Sequence, residues 1–459
     1  MIGRLAFRSL TAHPVRSAVL AAGFGVGVAV MAILLGVAGI VLEQAQSPAL
    51  VGGGDVNIRL SLAVPARLVL AGTLQSDALR PRVRAAAASH TTDLFLLRDG
   101  RATRVAARGG IPSVERELGD PETAGMEGWR DTPGDAAWTR ESPDKVLRQI
   151  DRFHGVPDVP EWADSWAEWL YFNGRSNEAR FYLTFLVGPR TKSGNRAAGV
   201  RLQIERNGRM ESYSASTEAT DAGLSKAPDL IIGKSSVRLD GMIYRIHLDV
   251  ADAAGRRAIG DLTLEASAGR LVPPIEITGA RGWRTGYVVP VMAGTLDGAL
   301  TVGDDRISLA GGSGYHDHNW GFWKGVSWQW GQAQQGDLSI IYGRVFPPPE
   351  AADAERIPGF VGALGPDGPL GYSTDVRIAE TNDDRGQPRS ITVRARGLAL
   401  TLDLRFDVAS SVTTRMTQGP LGNGVDFLQM RGQYTVSGRT GTREIAFTAP
   451  GAAETFRGN

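Results

Sequence analysis

The chain contains no cysteine. Disulfides, thiolate metal centres and thiol nucleophiles are therefore excluded. Net charge is nearly absent as well: 50 Lys and Arg stand against 49 Asp and Glu, a formal charge of +1. No global field draws such a chain to nucleic acid, and no nucleic-acid partner is expected. Histidine is scarce, at 6 residues. Helix-like periodicity is scarce beyond residue 50, and long apolar runs are missing with one exception. Residues 17–42 carry no charged side chain, a run longer than the roughly 20 residues that a helix needs to cross a bilayer.

Arg4, Arg8 and Arg16 precede that run, and Glu43 is the first charge after it. The positive-inside rule then puts the N-terminus in the cytoplasm and the rest outside. A cleaved signal peptide fits less well, because the apolar stretch is too long and no small-x-small cleavage site follows. The expectation is a single-pass protein of the inner membrane with extracytoplasmic domains, the lipid bilayer being its first partner.

What is abundant is glycine, at 58 of 459 residues. Short alternating segments bounded by turn residues recur from about residue 166 onward. Residues 179–187 and 199–206 read as strands, and 237–250 reads as a hairpin turning at Asp240-Gly241. Further strands are expected near 338–346, 390–407 and 427–448. Residues 111–165 read as a linker with one short helix near 143–153, where Val146, Leu147, Ile150 and Phe153 recur at helical spacing. A small helical stretch is expected near 79–88. Two successive strand sets suggest two closed or nearly closed antiparallel barrels, since closure removes sheet edges. The expected division is 1–46 for a cytoplasmic tip and transmembrane helix, and 47–150 for an extracytoplasmic region with linker. A first barrel at 151–310 and a second at 311–459 follow.

The densest cluster of chemistry is Gly314-Tyr-His-Asp-His-Asn-Trp-Gly321. In a strand, Tyr315, Asp317 and Asn319 share one face, and His316, His318 and Trp320 share the other. Trp320, Trp323, Trp328 and Trp330 crowd beside it, and flat apolar surface next to a few polar groups is how small-molecule sites are built. Two bland readings stand beside this one. The polar residues could be a satisfied hydrogen-bond network at a barrel junction. The His-x-His pair could hold a metal, but no further ligands are evident in the neighbouring sequence. Glu161, Asp164 and Glu168 lie among Trp162, Trp166 and Trp169 and read better as packing than as a glycosidase pair. Asp426, Gln429 and Arg431 lie in the second lobe without an assigned face. Gly311–Gly314 is not a phosphate loop, because no Gly-Lys-Ser/Thr follows.

Two resemblances rest on these residues. The opening Leu5-Ala-Phe-Arg-Ser-Leu through Leu20, with Gly52-Gly-Gly-Asp-Val56, resembles the first helix and periplasmic start of FtsX/MacB-type ABC permeases. No second spanning run follows, so the chain alone cannot form a permease. The segments 167–174 and 312–321, with Trp283 and Pro290, resemble the CrtC/AttH-like family over about 150–457. That family includes carotenoid 1,2-hydratases, fungal Diels–Alderases and the soluble component of an Att-type ABC system. The resemblance implies two lipocalin-like barrels, an apolar ligand cavity at or between them, and no metal or other cofactor. It also implies a place for Glu454 in a C-terminal segment like the family's. The chain departs from the hydratase pattern in having no histidine between His247 and His316.

Hydrating an isolated C=C bond requires protonating carbon and capturing a tertiary cation with water. A carboxyl in an apolar pocket stays protonated near neutral pH and can supply that proton. Asp317 is the candidate donor. Tyr315 is placed to orient it, and His316 or His318 to hold water or relay a proton. Trp169, Tyr171, Trp283, Asn319, Trp320 and Trp323 are the candidate ligand contacts. The expected ligand is a lipophilic polyene or isoprenoid. The competing reading is a non-catalytic lipophile carrier working with ABC-transporter ATPase and permease subunits.

Overall fold

The computed structural model describes residues 142–457 with short breaks, most of 79–135, and isolated positions before them. The candidate membrane span at 17–42 lies outside the described residues. Among the described residues no helix is long and apolar enough to cross a membrane. The chain divides into two compact units, one of Met1–Arg59 with Ala85–Asp135 and the other of Leu60–Arg84 with Ala136–Asn459. The first contains a hairpin of β1 (His90–Arg98) and β2 (Arg101–Gly109). Near 79–88 the backbone forms only a short 3-10 turn at Arg80–Arg82, where Pro81 removes a donor.

The larger unit is mainly β, with two barrel-like sheets. The first sheet uses β3 (Trp166–Arg175), β4 (Arg180–Arg190), β5 (Arg196–Arg206), β6 (Arg209–Ala219), β7 (Leu230–Ile232) and β8 (Ser235–Asp240). It continues through β9 (Ile243–Ala251), β10 (Arg257–Glu265), β11 (Val272–Thr278), β12 (Arg284–Val302), β13 (Asp305–Ser308) and β14 (Gly312–Phe322). Its order runs β10-β12-β14-β3-β4-β5-β6-β9, and β9 pairs again with β10, closing the ring. The β8–β9 turn falls at Asp240-Gly241, and Gly241 takes the positive φ of 60° that the tight turn requires. Along β9, Tyr244, Ile246, Leu248 and Val250 point inward while Arg245, His247 and Asp249 point out.

The second sheet comprises β15 (Ser327–Gln335), β16 (Leu338–Phe346), β17 (Phe360–Gly365), β18 (Gly368–Ser373) and β19 (Asp375–Asn382). With them go β20 (Pro388–Arg396), β21 (Leu400–Met416), β22 (Val425–Thr440) and β23 (Arg443–Arg457). Its order is β18-β17-β16-β15-β23-β22-β21-β20-β19, an antiparallel path whose two ends do not pair. The segments read as single strands at 390–407 and 427–448 are each two long strands and a turn.

One boundary moves. The expected division at 310/311 put the Gly314–Gly321 motif in the second barrel. β14 instead pairs with β3 and β12, so the motif strand belongs to the first barrel and the second begins at β15. Chain order alone does not reveal this, because β14 returns from far along the sequence to sit beside β3.

A helix, Pro143–Ile150, precedes the first barrel, with Val146, Leu147 and Ile150 buried. Pro143 sits in its first turn, where the missing N–H costs nothing. The first barrel's interior is filled by residues such as Phe172, Phe185, Leu202 and Tyr244. The second has its own interior around Ile340, Tyr342, Phe406 and Tyr434. A smaller apolar cluster of Tyr171, Tyr182, Tyr315, Trp330 and Ile341 joins outward-facing residues of the two.

Candidate functional site

A cavity of about 570 Å³ lies between the two barrels. Trp169, Tyr171, Tyr287, Asp317, Asn319 and Trp323 line it from the first barrel's side. Trp328, Trp330, Phe360, Gln429, Glu454 and Phe456 line it from the second. The surface it presents is mostly apolar, with aromatic rings from both barrels and polar groups that include Arg201 and Arg344 as well as Asp317 and Glu454. Trp328 stacks on Phe456 with ring centroids 4.3 Å apart. Trp169 meets Trp323 at 4.6 Å.

The alternation of β14 decides which motif residues reach this space. Asp317 stands directly across from Tyr171 on β3, and Asn319 across from Trp169. The Asp317 carboxylate accepts from Tyr315 Oη at 2.9 Å on one oxygen and from Asn319 Nδ2 at 2.8 Å on the other. Tyr315 Oη lies 2.7 Å from Tyr287 Oη, which accepts from Trp330 Nε1 at 3.0 Å. Trp330 thus starts a chain of donors that runs through both tyrosines and ends on Asp317. Burial pushes Asp317 well above the usual carboxylate range, and the nearby Glu454 carboxyl adds to this, against the pull of its two donors. Burial likewise raises Tyr171, Tyr287 and Tyr315, so all three keep their protons and remain donors.

Glu454 comes from the other barrel, on β23, where it pairs across to Trp330 and Gln429. Tyr171 Oη donates to Glu454 Oε1 at 2.8 Å. Burial pushes Glu454 up to about 7, although hydrogen bonds from Tyr171 and Gln429 oppose the shift. Gln429 is 5% exposed, and its Oε1 has no hydrogen-bond partner among the described residues. A buried acceptor beside a cavity is a seat for a donor such as water or a ligand hydroxyl. Two carboxyls with raised pKa therefore face one apolar space, each from a different barrel. Tyr171 lies between them, opposite one in the sheet and bonded to the other.

The other face of the motif does something different. His316 and His318 are fully buried inside the first barrel. His316 Nδ1 lies 2.9 Å from the Tyr171 carbonyl and its Nε2 lies 2.9 Å from Asp151 Oδ2. His318 Nδ1 lies 3.1 Å from Asp151 Oδ1, and its Nε2 lies 2.9 Å from Glu168 Oε1. Burial alone would raise Asp151, but the two histidines hold it well below its ordinary value. Burial would lower His318, yet Asp151 and Glu168 push it up to about 9. His316 stacks on Phe172 at 4.0 Å and meets the Tyr244 ring edge-on at 4.7 Å.

The expected roles of His316 and His318 in water handling do not fit this placement. Both ring nitrogens of each are engaged, and both rings point away from the cavity. Two expected ligand contacts also move. Trp320 lies across Gly286, where an added Cβ would stand 2.1 Å from the indole, and stacks on His154 at 4.2 Å. Trp283 is fully buried and donates from Nε1 to the Phe322 carbonyl at 3.0 Å. Both serve the core because alternation or a loop turns them inward. Of the remaining expected residues, Trp169, Tyr171, Asp317, Asn319 and Trp323 line the cavity, with Tyr315 directly behind Asp317. The acidic residues among the tryptophans separate: Glu161 is exposed and pairs with Arg281, whereas Glu168 is 1% exposed within the histidine network.

Glu454 and Gln429 carry no local pattern in the sequence that places them in the site. Nor does anything in the sequence tie Asp151 to His316, 165 residues away. The signal in the sequence for Asp151 is its place directly after the amphipathic helix, one residue past the buried Ile150.

No family model matches the chain. No curated protein matches it either. Among solved structures it is similar to kievitone hydratase from Nectria haematococca, with a TM-score of 0.43 and 12% identity over 67% of this chain and 96% of that one. It is similar to a putative AttH from Nitrosomonas europaea, with a TM-score of 0.43 and 13% identity over 67% and 98% of the two chains. CghA gives a TM-score of 0.41 and 14% identity over 69% and 94%.

Proposed function

We propose that the chain binds a lipophilic molecule of the polyene or isoprenoid class between its two barrels and adds water across one of its C=C bonds. The observation that carries this reading is the pair Asp317 and Glu454 in an aromatic-lined cavity, both with carboxyls shifted toward the protonated form. Two such groups close together share protons as a unit, one acidic while the other is ionised. Asp317 gives its proton to the less substituted alkene carbon, and the π electrons form the new C–H bond. The tertiary cation left behind faces Trp and Phe rings, whose π faces attract it. Water seated against Gln429 Oε1 adds to the cation, and its released proton passes to Glu454. Asp317 ends as the carboxylate, held by Tyr315 and Asn319. Proton exchange between the two acids restores the starting state.

The uncharged run at 17–42 supports a second element of the proposal, a bilayer anchor for an extracytoplasmic enzyme. Such an anchor holds the cavity near the membrane into which its ligand partitions. The permease-like opening keeps one alternative alive, a non-catalytic carrier serving an ABC transporter. Incubating the protein with acyclic polyenes and measuring product mass separates the two. Hydration adds one water to the product in wild type. In Asp317→Asn it falls about 10²–10⁴-fold, the usual worth of a general acid, while ligand binding persists. Wild-type binding with no heavier product leaves only the carrier.

A further inference from the structure

The acid chemistry above uses neither the two histidines of β14 nor the carboxylates behind them. Their network extends to His154, four residues beyond the end of the helix Pro143–Ile150. His154 Nδ1, a Glu168 carboxylate oxygen and His318 Nε2 all lie within 4.8 Å of one another. Glu168 Oε1 is 2.8 Å from His154 Nδ1 and 2.9 Å from His318 Nε2.

We propose that His154, Glu168 and His318 form a binding site for one divalent transition-metal ion, with Zn²⁺ best suited to the donor set. Two imidazoles and one carboxylate make a common three-ligand set for zinc, leaving a fourth position for water. The ion would take the place of the proton that His318 Nε2 shares with Glu168, which is released to solvent. The surroundings have the features of a supported site. Asp151 Oδ1 stands 3.1 Å from His318 Nδ1, so a carboxylate orients the histidine and leaves Nε2 facing Glu168. The His154 backbone N–H donates to both Glu168 oxygens, at 2.9 and 3.0 Å. The His154 ring is stacked on Trp320 at 4.2 Å.

Access and geometry fit as well. His318 and Glu168 are buried, but the His154 side chain is 37% exposed and opens a path from solvent. Ligand atoms about 2.1 Å from a tetrahedral ion stand about 3.4 Å apart. The two oxygen–nitrogen separations therefore have to open by about half an ångström, while the two nitrogens, within 4.8 Å of each other, have to settle at the same spacing. His154 lies outside regular secondary structure and is the ligand free to adjust. The ion would tie the segment after the helix to β3 and β14 on the side of β14 that faces away from the cavity. Its role is structural, and it stands or falls independently of the hydration chemistry.

The test uses the full chain in detergent, stripped with a chelator and returned to metal-free buffer. One equivalent of Zn²⁺ is added and the retained metal counted, and Co²⁺ serves as a visible probe of coordination. His154→Phe keeps a ring against Trp320 and removes the donor nitrogen. His247→Ala removes an exposed surface histidine elsewhere. The expected result is about one Zn²⁺ per chain and a Co²⁺ visible band in wild type and His247→Ala. Binding should be at least roughly 100-fold weaker in His154→Phe, with its near-ultraviolet circular dichroism unchanged. The proposal is overturned if wild type retains no Zn²⁺ and gives no Co²⁺ band, leaving a hydrogen-bonded network only. It is equally overturned if a folded His154→Phe binds as wild type does.

Discussion

Replacing Glu454 by Gln should make the protein more stable, and increasingly so as pH rises. Glu454 is 9% exposed and its carboxyl is pushed up to about 7 in the folded chain, against 4.5 without that environment. The folded state therefore binds more protons than the unfolded state between those values. Stability from this group is fully present below pH 4.5 and is lost as pH rises through about 7. A difference of about 2.5 in pKa corresponds to about 3 kcal/mol. Glutamine keeps an oxygen for the Tyr171 hydroxyl and does not titrate. The gap between Glu454→Gln and wild type should accordingly widen by about 3 kcal/mol from pH 4.5 to 8. Asp317 reinforces the trend, because removing the Glu454 charge relieves part of what raises it. Urea unfolding followed by tryptophan fluorescence at several pH values measures the gap. Parallel pH curves for the two proteins would show that Glu454 is not held in a raised, functional state, and the hydration mechanism would lose its base.

Tyr171→Phe removes the hydroxyl that donates to Glu454 at 2.8 Å. Glu454 then rises further, so the acid limb of the rate profile, where Glu454 must ionise, moves to higher pH. The displacement is about 1 pH unit for a hydrogen bond to a charged group worth about 1.5 kcal/mol, and an unmoved limb excludes Glu454 as the base. Asp151→Ala strips both buried histidines of their shared carboxylate. Breaking such a pair on one side costs about 3–5 kcal/mol. A melting temperature within 2 °C of wild type would contradict the network's role in stability.

Much of the fold was legible because β structure writes itself locally. The Asp240-Gly241 turn and the alternation of Tyr244, Ile246, Leu248 and Val250 are visible in the residues and appear in the hairpin. The helix Pro143–Ile150 was readable from Val146, Leu147 and Ile150 at helical spacing. Strand ends were less legible, since β20–β21 and β22–β23 each turn within segments that read as one continuous strand. Barrel membership of the motif strand was not legible at all. Hydrogen bonding from β14 to β3 spans more than a hundred residues, and no local pattern encodes a partner at that distance.

Strand alternation alone separated Tyr315, Asp317 and Asn319 from His316, His318 and Trp320, because successive side chains of a strand must point to opposite faces. It also marked Asp317 as the carboxyl set among aromatic residues. The tertiary structure decided which face meets the cavity and what completes each side. It brought Glu454 and Gln429 from β23 and β22 of the second barrel to the Asp317 side. It brought Asp151, His154 and Glu168 to the histidines. These assemblies depend on long-range packing. A pKa is likewise set by burial and by charges adjacent in space, which neighbours in sequence do not specify.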